Sequence, residues 1–146
     1  LGTGGAIKKA AKMIQGDSFL VLNGDIITNI DIRKMCKKKN SIALVKLKTK
    51  YGTVTIQKDK ITEFREKKAV PNIWMNAGIY HLDRNIIEKL PKSGAIEKTT
   101  FLKYAKEGKL YGVKFSDSFW FSIDSHKDLE DCSETLHLKK YQGFAK

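Results

Sequence analysis

The chain has 146 residues, 41% of them hydrophobic and 30% charged, with a formal net charge of +12. That length makes about one domain with a real core, and no apolar run approaches the roughly 20 residues of a membrane span. Nucleic-acid binding is not indicated: the lysines are scattered, Lys37-Lys38-Lys39 is the one run of three, and arginine, the preferred fork for phosphate and bases, is rare.

The scattered lysines suit a solvated surface and the steering of a small anionic substrate. Cys36 and Cys132 lie far apart and outside any metal-ligand spacing, so a reduced, cytoplasmic setting is the default. The chain begins at Leu1 rather than Met, and we expect an N-terminal portion to precede it.

In chain order, Gly2-Thr3-Gly4-Gly5 reads as a glycine-rich loop leading into a helix over residues 6–14. Ile7, Ala10, Ala11 and Ile14 share one face of it, and Lys8, Lys9 and Lys12 the other. Such a helix start offers free N–H groups and a positive dipole to an anion. Phe19-Leu20-Val21-Leu22 is a continuous apolar run, the pattern of a strand buried on both faces. It ends in Asn23-Gly24-Asp25, a tight polar loop where ligands sit in open α/β sheets; Asp25 is equally suited to capping the turn.

Asp31 caps a short helix through Met35 and Cys36, and Ile42 to Leu47 is a second apolar strand. Thr53 to Gln57 and Ile61 to Phe64 flank Lys58-Asp59-Lys60 as a hairpin. Trp74 to Leu82 is another strand, Asp83 caps a helix over Ile86, Ile87 and Leu90, and Pro91 ends it. Glu97 to Lys106 is helical with Phe101, Leu102 and Ala105 inward, and Gly108 stops it. Leu110 to Phe115 and Phe119 to Ile123 are strands. Ser125 opens a last helix, with Asp128 completing a carboxylate capping box and Leu129, Cys132 and Leu136 as its inner stripe. This alternation predicts an α/β layer fold with a partly antiparallel section.

No nucleophilic triad is visible, and His81, His126 and His137 lack metal-ligand spacing; His81 and His137 read as ordinary surface or half-buried groups. The chain instead supplies isolated acids after strands, Asp25 and Asp124, with glycines and lysines in loops. That set suits Mg²⁺ and phosphate chemistry, in which one or two carboxylates hold the ion and substrate phosphates fill the remaining positions.

Five short motifs follow one another: Leu1-Gly2-Thr3-Gly4-Gly5-Ala6, Val21-Leu22-Asn23-Gly24-Asp25, Phe64-Arg65-Glu66-Lys67, Asn76-Ala77-Gly78-Ile79-Tyr80 and Ala95-Ile96-Glu97-Lys98. In this order and at these spacings the chain resembles the sugar-1-phosphate nucleotidylyltransferases through nearly its whole length. The resemblance implies a three-layer Rossmann-like sheet, mixed but mostly parallel, as a single domain over 1–146 that is the C-terminal portion of the family's unit. It implies a cytoplasmic, homo-oligomeric enzyme that takes a nucleoside triphosphate and a sugar 1-phosphate, with no nucleic-acid or membrane partner.

Carried over residue by residue, it implies that Asp25 holds Mg²⁺ and that Glu66, Asn76 and Glu97 bind sugar hydroxyls. Lys67 meets the sugar phosphate, Gly78 lets backbone approach the sugar, and Gly4 and Gly5 lie along the base. Plainer readings stand beside these: Glu66 and Lys67 as a solvated strand end, Asn76 as the partner of a buried backbone group.

Two departures matter. Many members carry Trp-x-Asp-x-Gly-Thr, whose acid is the second Mg²⁺ ligand, whereas Ser122 stands at that place here. The segment Trp120-Phe121-Ser122-Ile123-Asp124-Ser125 resembles the version in glucose-1-phosphate cytidylyltransferases, with Asp124 as the acid; Asp124 is also placed to be the N-cap of the last helix. The other departure is that the family's N-terminal element, a Gly-x-Gly-Thr-Arg loop with a Pro-Lys downstream of it, is not part of these 146 residues. The family carries on the order of 80 residues, one Rossmann-like half, before the point matching Leu1. The first and last sugar motifs favour GTP and a mannose- or heptose-phosphate, the Asp124 arrangement favours cytidylyl transfer, and the Ser122 substitution keeps a non-catalytic nucleotide-sugar-binding relative in view. The 146-residue chain alone is expected to show no turnover, and restoring an N-terminal half to supply it; equal rates from both would refute this dependence.

Overall fold

The long strand β6 (Ala69–Asp83) lies between β1 (Ser18–Leu22) and β3 (Ser41–Lys48) and runs antiparallel to both. Strand β7 (Tyr111–Lys114) pairs parallel with the far side of β3, giving the order β1-β6-β3-β7. So β1, β3 and β7 share one direction and β6 alone opposes them. The sheet is mixed, as expected, and most of its strands are co-directional. Two of its three pairings are nevertheless antiparallel, because the single reversed strand sits inside the sheet. The reversal has a local cause. The hairpin of β4 (Thr53–Gln57) and β5 (Lys60–Arg65) leaves the sheet after β3 and hands the chain back in the opposite sense. The computed structural model describes residues 1–49, 51–66 and 69–137, without the side chains of Ala69 and Pro71.

Alternation along β6 divides the core between the two faces of the sheet. Tyr80 and Leu82 pack with Ala11, Phe19, Ile86, Leu90, Ile96 and Phe101 on one side. Ala77 and Ile79 pack with Ile30, Met35, Ala43, Val45 and Phe115 on the other. The first face is covered by helix α1 (Gly2–Ala10), by the 3-10 turn Arg84–Lys89 and by α3 (Thr100–Lys106). The second is covered by α2 (Ile32–Met35) and by a small antiparallel ribbon, β2 (Ile26–Thr28) with β8 (Trp120–Ser122). Helix α4 (His126–Leu136) follows β8. His81 is buried, with Nδ1 3.1 Å from the Met35 carbonyl and 3.0 Å from that of Lys38, so Nδ1 carries the proton and pins the end of α2 to the sheet.

Several elements differ from the expected ones. The glycines at the start are the first turns of α1 rather than a loop, because Gly4 and Gly5 are buried against the segment 91–94. A Cβ on Gly5 would stand 2.6 Å from the Lys92 carbonyl oxygen. Tertiary packing thus overrides the poor helix propensity of glycine. Strand β2 was not expected, since Ile26-Ile27 is too short a run to read without its partner. The segment after Asp83 is 3-10 rather than α-helical, though Asp83 does cap it by accepting from the Asn85 N–H. Residues 96–99 form a turn that delays α3. Phe101 is then the buried residue, and Leu102 and Ala105 face solvent. In α4, Cys132 is buried and Leu136 half-buried, while Leu129 is exposed.

Gly5→Ala separates propensity from packing. Alanine is better in a helix by about 1 kcal/mol, whereas a forced overlap costs about 1–3 kcal/mol. We expect net destabilisation, with Tm lowered by roughly 3–6 °C in a thermal melt. An unchanged or higher Tm would show that the 91–94 segment yields freely.

Candidate active site

Strand β1 delivers Asn23, Gly24 and Asp25 past its carboxyl end, and the loop is tied at once to β6. The Asn23 N–H donates to the Gly78 carbonyl at 2.9 Å. Gly78 lies in an irregularity of β6. Ile42 pairs with Tyr80 and Leu44 with Asn76, so two steps along β3 match four along β6. Gly78 takes φ +70° there, and a Cβ would run into the Ile26 side chain and lie 2.9 Å from Asn23 Nδ2. Only glycine fits both the conformation and the space.

The β2–β8 ribbon then brings the segments that carry the two acids together. Ile26 pairs with Ser122, and the Asp25 carbonyl accepts from the Ile123 N–H at 2.8 Å. Asp25 and Asp124 flank this pairing and are both exposed. Asp124 is not the N-cap of α4. Ser125 is: its hydroxyl accepts from the Asp128 N–H at 3.3 Å and donates to Asp128 Oδ2 at 2.7 Å. The Asp124 carboxylate instead accepts from the Ser122 hydroxyl at 3.1 Å. Two exposed carboxylates at adjoining strand ends fit the sparse protein ligand set of Mg²⁺, which keeps waters and takes substrate phosphates. Among the described residues no group of three or more His, Cys, Asp or Glu forms a fuller metal cage.

Across Gly78, a hydrogen-bonded chain gathers three of the expected sugar-binding residues. Asn76 Oδ1 accepts from the Gly78 N–H at 2.8 Å, and Asn76 Nδ2 donates to the Tyr80 hydroxyl at 3.0 Å. The Tyr80 hydroxyl donates to Glu97 Oε1 at 3.1 Å. Glu97 Oε2 accepts from the Thr3 hydroxyl at 2.9 Å, and Thr3 Oγ1 accepts from the Ile96 N–H at 3.0 Å. Asn76 therefore does satisfy a backbone group, as its plainer reading has it, and still keeps an N–H to offer. Tyr80 and Thr3 stand inside quoted motifs, but nothing in their spacing showed that they meet Glu97.

Gly4 and Gly5 are buried against the segment leading to Glu97, with the Gly4 N–H donating to the Gly94 carbonyl at 2.9 Å. Glu66 is exposed after β5, its carboxylate beside Gly52; no hydrogen bond among the described residues joins it to the Asn76–Glu97 group. Lys67 lies outside the described residues.

Burial is the main cause that pushes the Tyr80 hydroxyl up to about 12. The Asn76 amide opposes it, while the Glu97 and Asp25 charges add to it.

A central mixed sheet covered on both faces, with polar loops gathered past its strand ends, places the chain among the α/β layer proteins. The chain belongs to the Nucleotidyl transferase family, which it matches over residues 1–139. It is similar to the bifunctional protein GlmU of Methanocaldococcus jannaschii, 32% identical over 92% of this chain and 35% of that one. It is also similar to the D-glycero-α-D-manno-heptose 1-phosphate guanylyltransferase of Aneurinibacillus thermoaerophilus, 30% identical over 93% of this chain and 63% of that one. Among solved structures, HddC from Yersinia pseudotuberculosis superposes with TM-score 0.66 at 27% identity, covering 92% of this chain and 63% of that one. The chain thus spans between about a third and two thirds of the length of these relatives. Among the described residues no helix is long and apolar enough to cross a membrane.

An unfolded tyrosine ionises near pH 10, and the folded Tyr80 near 12. Between those values the folded state keeps a proton that the unfolded state has lost, so stability falls as pH rises. The contribution, about 2 kcal/mol, is full below pH 10 and gone above 12. In melts at pH 9 and pH 11.5 the wild type should lose more Tm than Tyr80→Phe; equal losses would place the alkaline transition elsewhere.

Proposed function

We propose that the protein containing this chain transfers a nucleotidyl group from a nucleoside triphosphate to a hexose or heptose 1-phosphate, releasing pyrophosphate and a nucleotide sugar. The observation that carries this reading is that the Asp25 loop and the Asn76–Tyr80–Glu97 network meet at Gly78, which bonds to Asn23 of the first and to Asn76 of the second. The first suits a metal-bound phosphate and the second a polyhydroxylated sugar, on either side of one glycine.

Asp25 and Asp124 would hold Mg²⁺, which when bound neutralises phosphate charge. The nucleophile, a sugar-phosphate oxygen, is already an anion, so the residues here are asked to align and orient rather than to abstract a proton. Asn76 and Glu97 hydrogen-bond sugar hydroxyls, Gly78 lets the backbone approach the ring, Glu66 adds a sugar contact and Lys67 meets the sugar phosphate. Gly4 and Gly5 lie along the base and also dock the segment that leads to Glu97. GTP is the favoured nucleotide, supported by the guanylyltransferase relative and by the Ile96-Glu97-Lys98 segment. The Asp124 arrangement is the specific feature behind the second reading, a cytidylyltransferase. The serine at position 122 is the one behind a non-catalytic nucleotide-sugar binder.

Pyrophosphate release, measured with the full-length protein across the nucleoside triphosphates and sugar 1-phosphates, separates these readings. Asp25→Asn and Asp124→Asn should each lower turnover by roughly a hundredfold or more with Tm nearly unchanged. A near-normal rate for Asp25→Asn at saturating Mg²⁺ would remove Asp25 from the chemistry, and nucleotide binding without release would favour the non-catalytic reading.

A further inference from the structure

The direction of every hydrogen bond in the Asn76–Glu97 network follows from its two ends. A backbone N–H can only donate, so the group of Asn76 that faces the Gly78 N–H is its oxygen, and its NH₂ faces Tyr80. The Tyr80 oxygen therefore accepts, and its single proton goes to Glu97. At the other end the Ile96 N–H donates to Thr3 Oγ1, and the Thr3 hydroxyl proton goes to the second Glu97 oxygen. Both arms point inward, and Glu97 accepts at each oxygen.

Tyr80 stands at the centre of this arrangement and is only 1% exposed, so its hydroxyl is held by the core rather than by solvent. Phe101 sets the ring edge-on, with centroids 5.0 Å apart and planes at 79°. The hydroxyl cannot reach substrate freely, yet it touches both residues assigned to the sugar.

We infer that Tyr80 is the positioning residue of the sugar subsite, and that Thr3 is its counterpart on the other side of Glu97. The inference rests on the proposed function and adds to it the source of sugar selectivity. With Nδ2 held by Tyr80, Asn76 presents one spare N–H in a fixed direction. With each oxygen held by one hydroxyl, Glu97 presents one spare lone pair on each. A donor and an acceptor locked side by side recognise two neighbouring sugar hydroxyls, one accepting from Asn76 and one donating to Glu97. Replacing Tyr80 by phenylalanine keeps the ring and the packing but frees the Asn76 amide to turn over and the Glu97 carboxylate to swing.

The test is steady-state kinetics on the full-length enzyme. Tyr80→Phe should raise KM for the sugar 1-phosphate about tenfold, the worth of one charge-assisted hydrogen bond, and leave KM for the nucleoside triphosphate within about twofold. Discrimination between the sugar 1-phosphate and its deoxy analogues should shrink by a similar factor. A general loss of structure would instead lower kcat and worsen both KM values together. Should Tyr80→Phe fail to fold, Thr3 supplies the same test from the exposed side: Thr3→Val should raise KM for the sugar phosphate, and Thr3→Ser, which keeps the hydroxyl, should restore it. Unchanged sugar KM and selectivity in these variants, with a wild type that turns over, would overturn the positioning role alone. A wild type that releases no pyrophosphate with any sugar 1-phosphate would overturn the proposed function and this inference with it.

Discussion

A left-handed backbone at Gly78, wedged against Asn23 and Ile26, holds the site together. The irregularity there gives β6 two extra residues over β3, an even number that keeps Tyr80 and Leu82 on one face and Ala77 and Ile79 on the other. With it, the Asn76 side chain folds back to its own backbone and reaches Tyr80, while the Gly78 carbonyl takes the Asn23 N–H. The loop that carries Asp25 and the strand that carries Asn76 and Tyr80 are joined at one residue, and a side chain there would force them apart.

A second close approach holds the far side. The first turn of α1 has no side-chain cap and is built largely of glycine, a poor start for a helix taken alone. Its stability comes from outside: Gly4 and Gly5 let the 91–94 segment lie against the helix backbone, with Gly4 N–H to Gly94 carbonyl and Gly94 N–H to Leu1 carbonyl bonds closing the contact. Thr3 then reaches across to Ile96 and Glu97. The helix therefore templates the loop that carries the Glu97 carboxylate, and buried Tyr80 braces that carboxylate from the sheet.

The acids obey a different logic. Asp25 and Asp124 lie 99 positions apart in sequence, and the β2–β8 ribbon joins their segments through backbone hydrogen bonds and through the Thr28 and Asn29 side chains bonded to the Phe119 backbone. Such a ribbon is marginal by itself. Here it rests on the sheet through Trp120, whose indole N–H donates to the Ala77 carbonyl at 2.9 Å, next to Gly78. The ribbon between the two acids and the Asn76–Glu97 network thus share their footing in β6.

Much of this was legible in the residues. The apolar run ending at Asn23-Gly24-Asp25, the hairpin around Lys58, the caps at Asp31, Asp83 and Ser125, and the family itself all follow from local pattern, because period, turn chemistry and motif order are properties of short stretches. The residues singled out at Asn76, Gly78 and Glu97 do come together. Other features were beyond reach of the sequence: the helical state of Gly2 to Gly5, the ribbon that pairs Asp25 with the strand before Asp124, the exposure of Leu102 and Ala105, and the parts played by Tyr80 and Thr3. Each depends on contacts between distant segments, where packing overrides propensity. The chain's own order of residues determined which chemical groups are available, and the tertiary structure alone decided which of them touch.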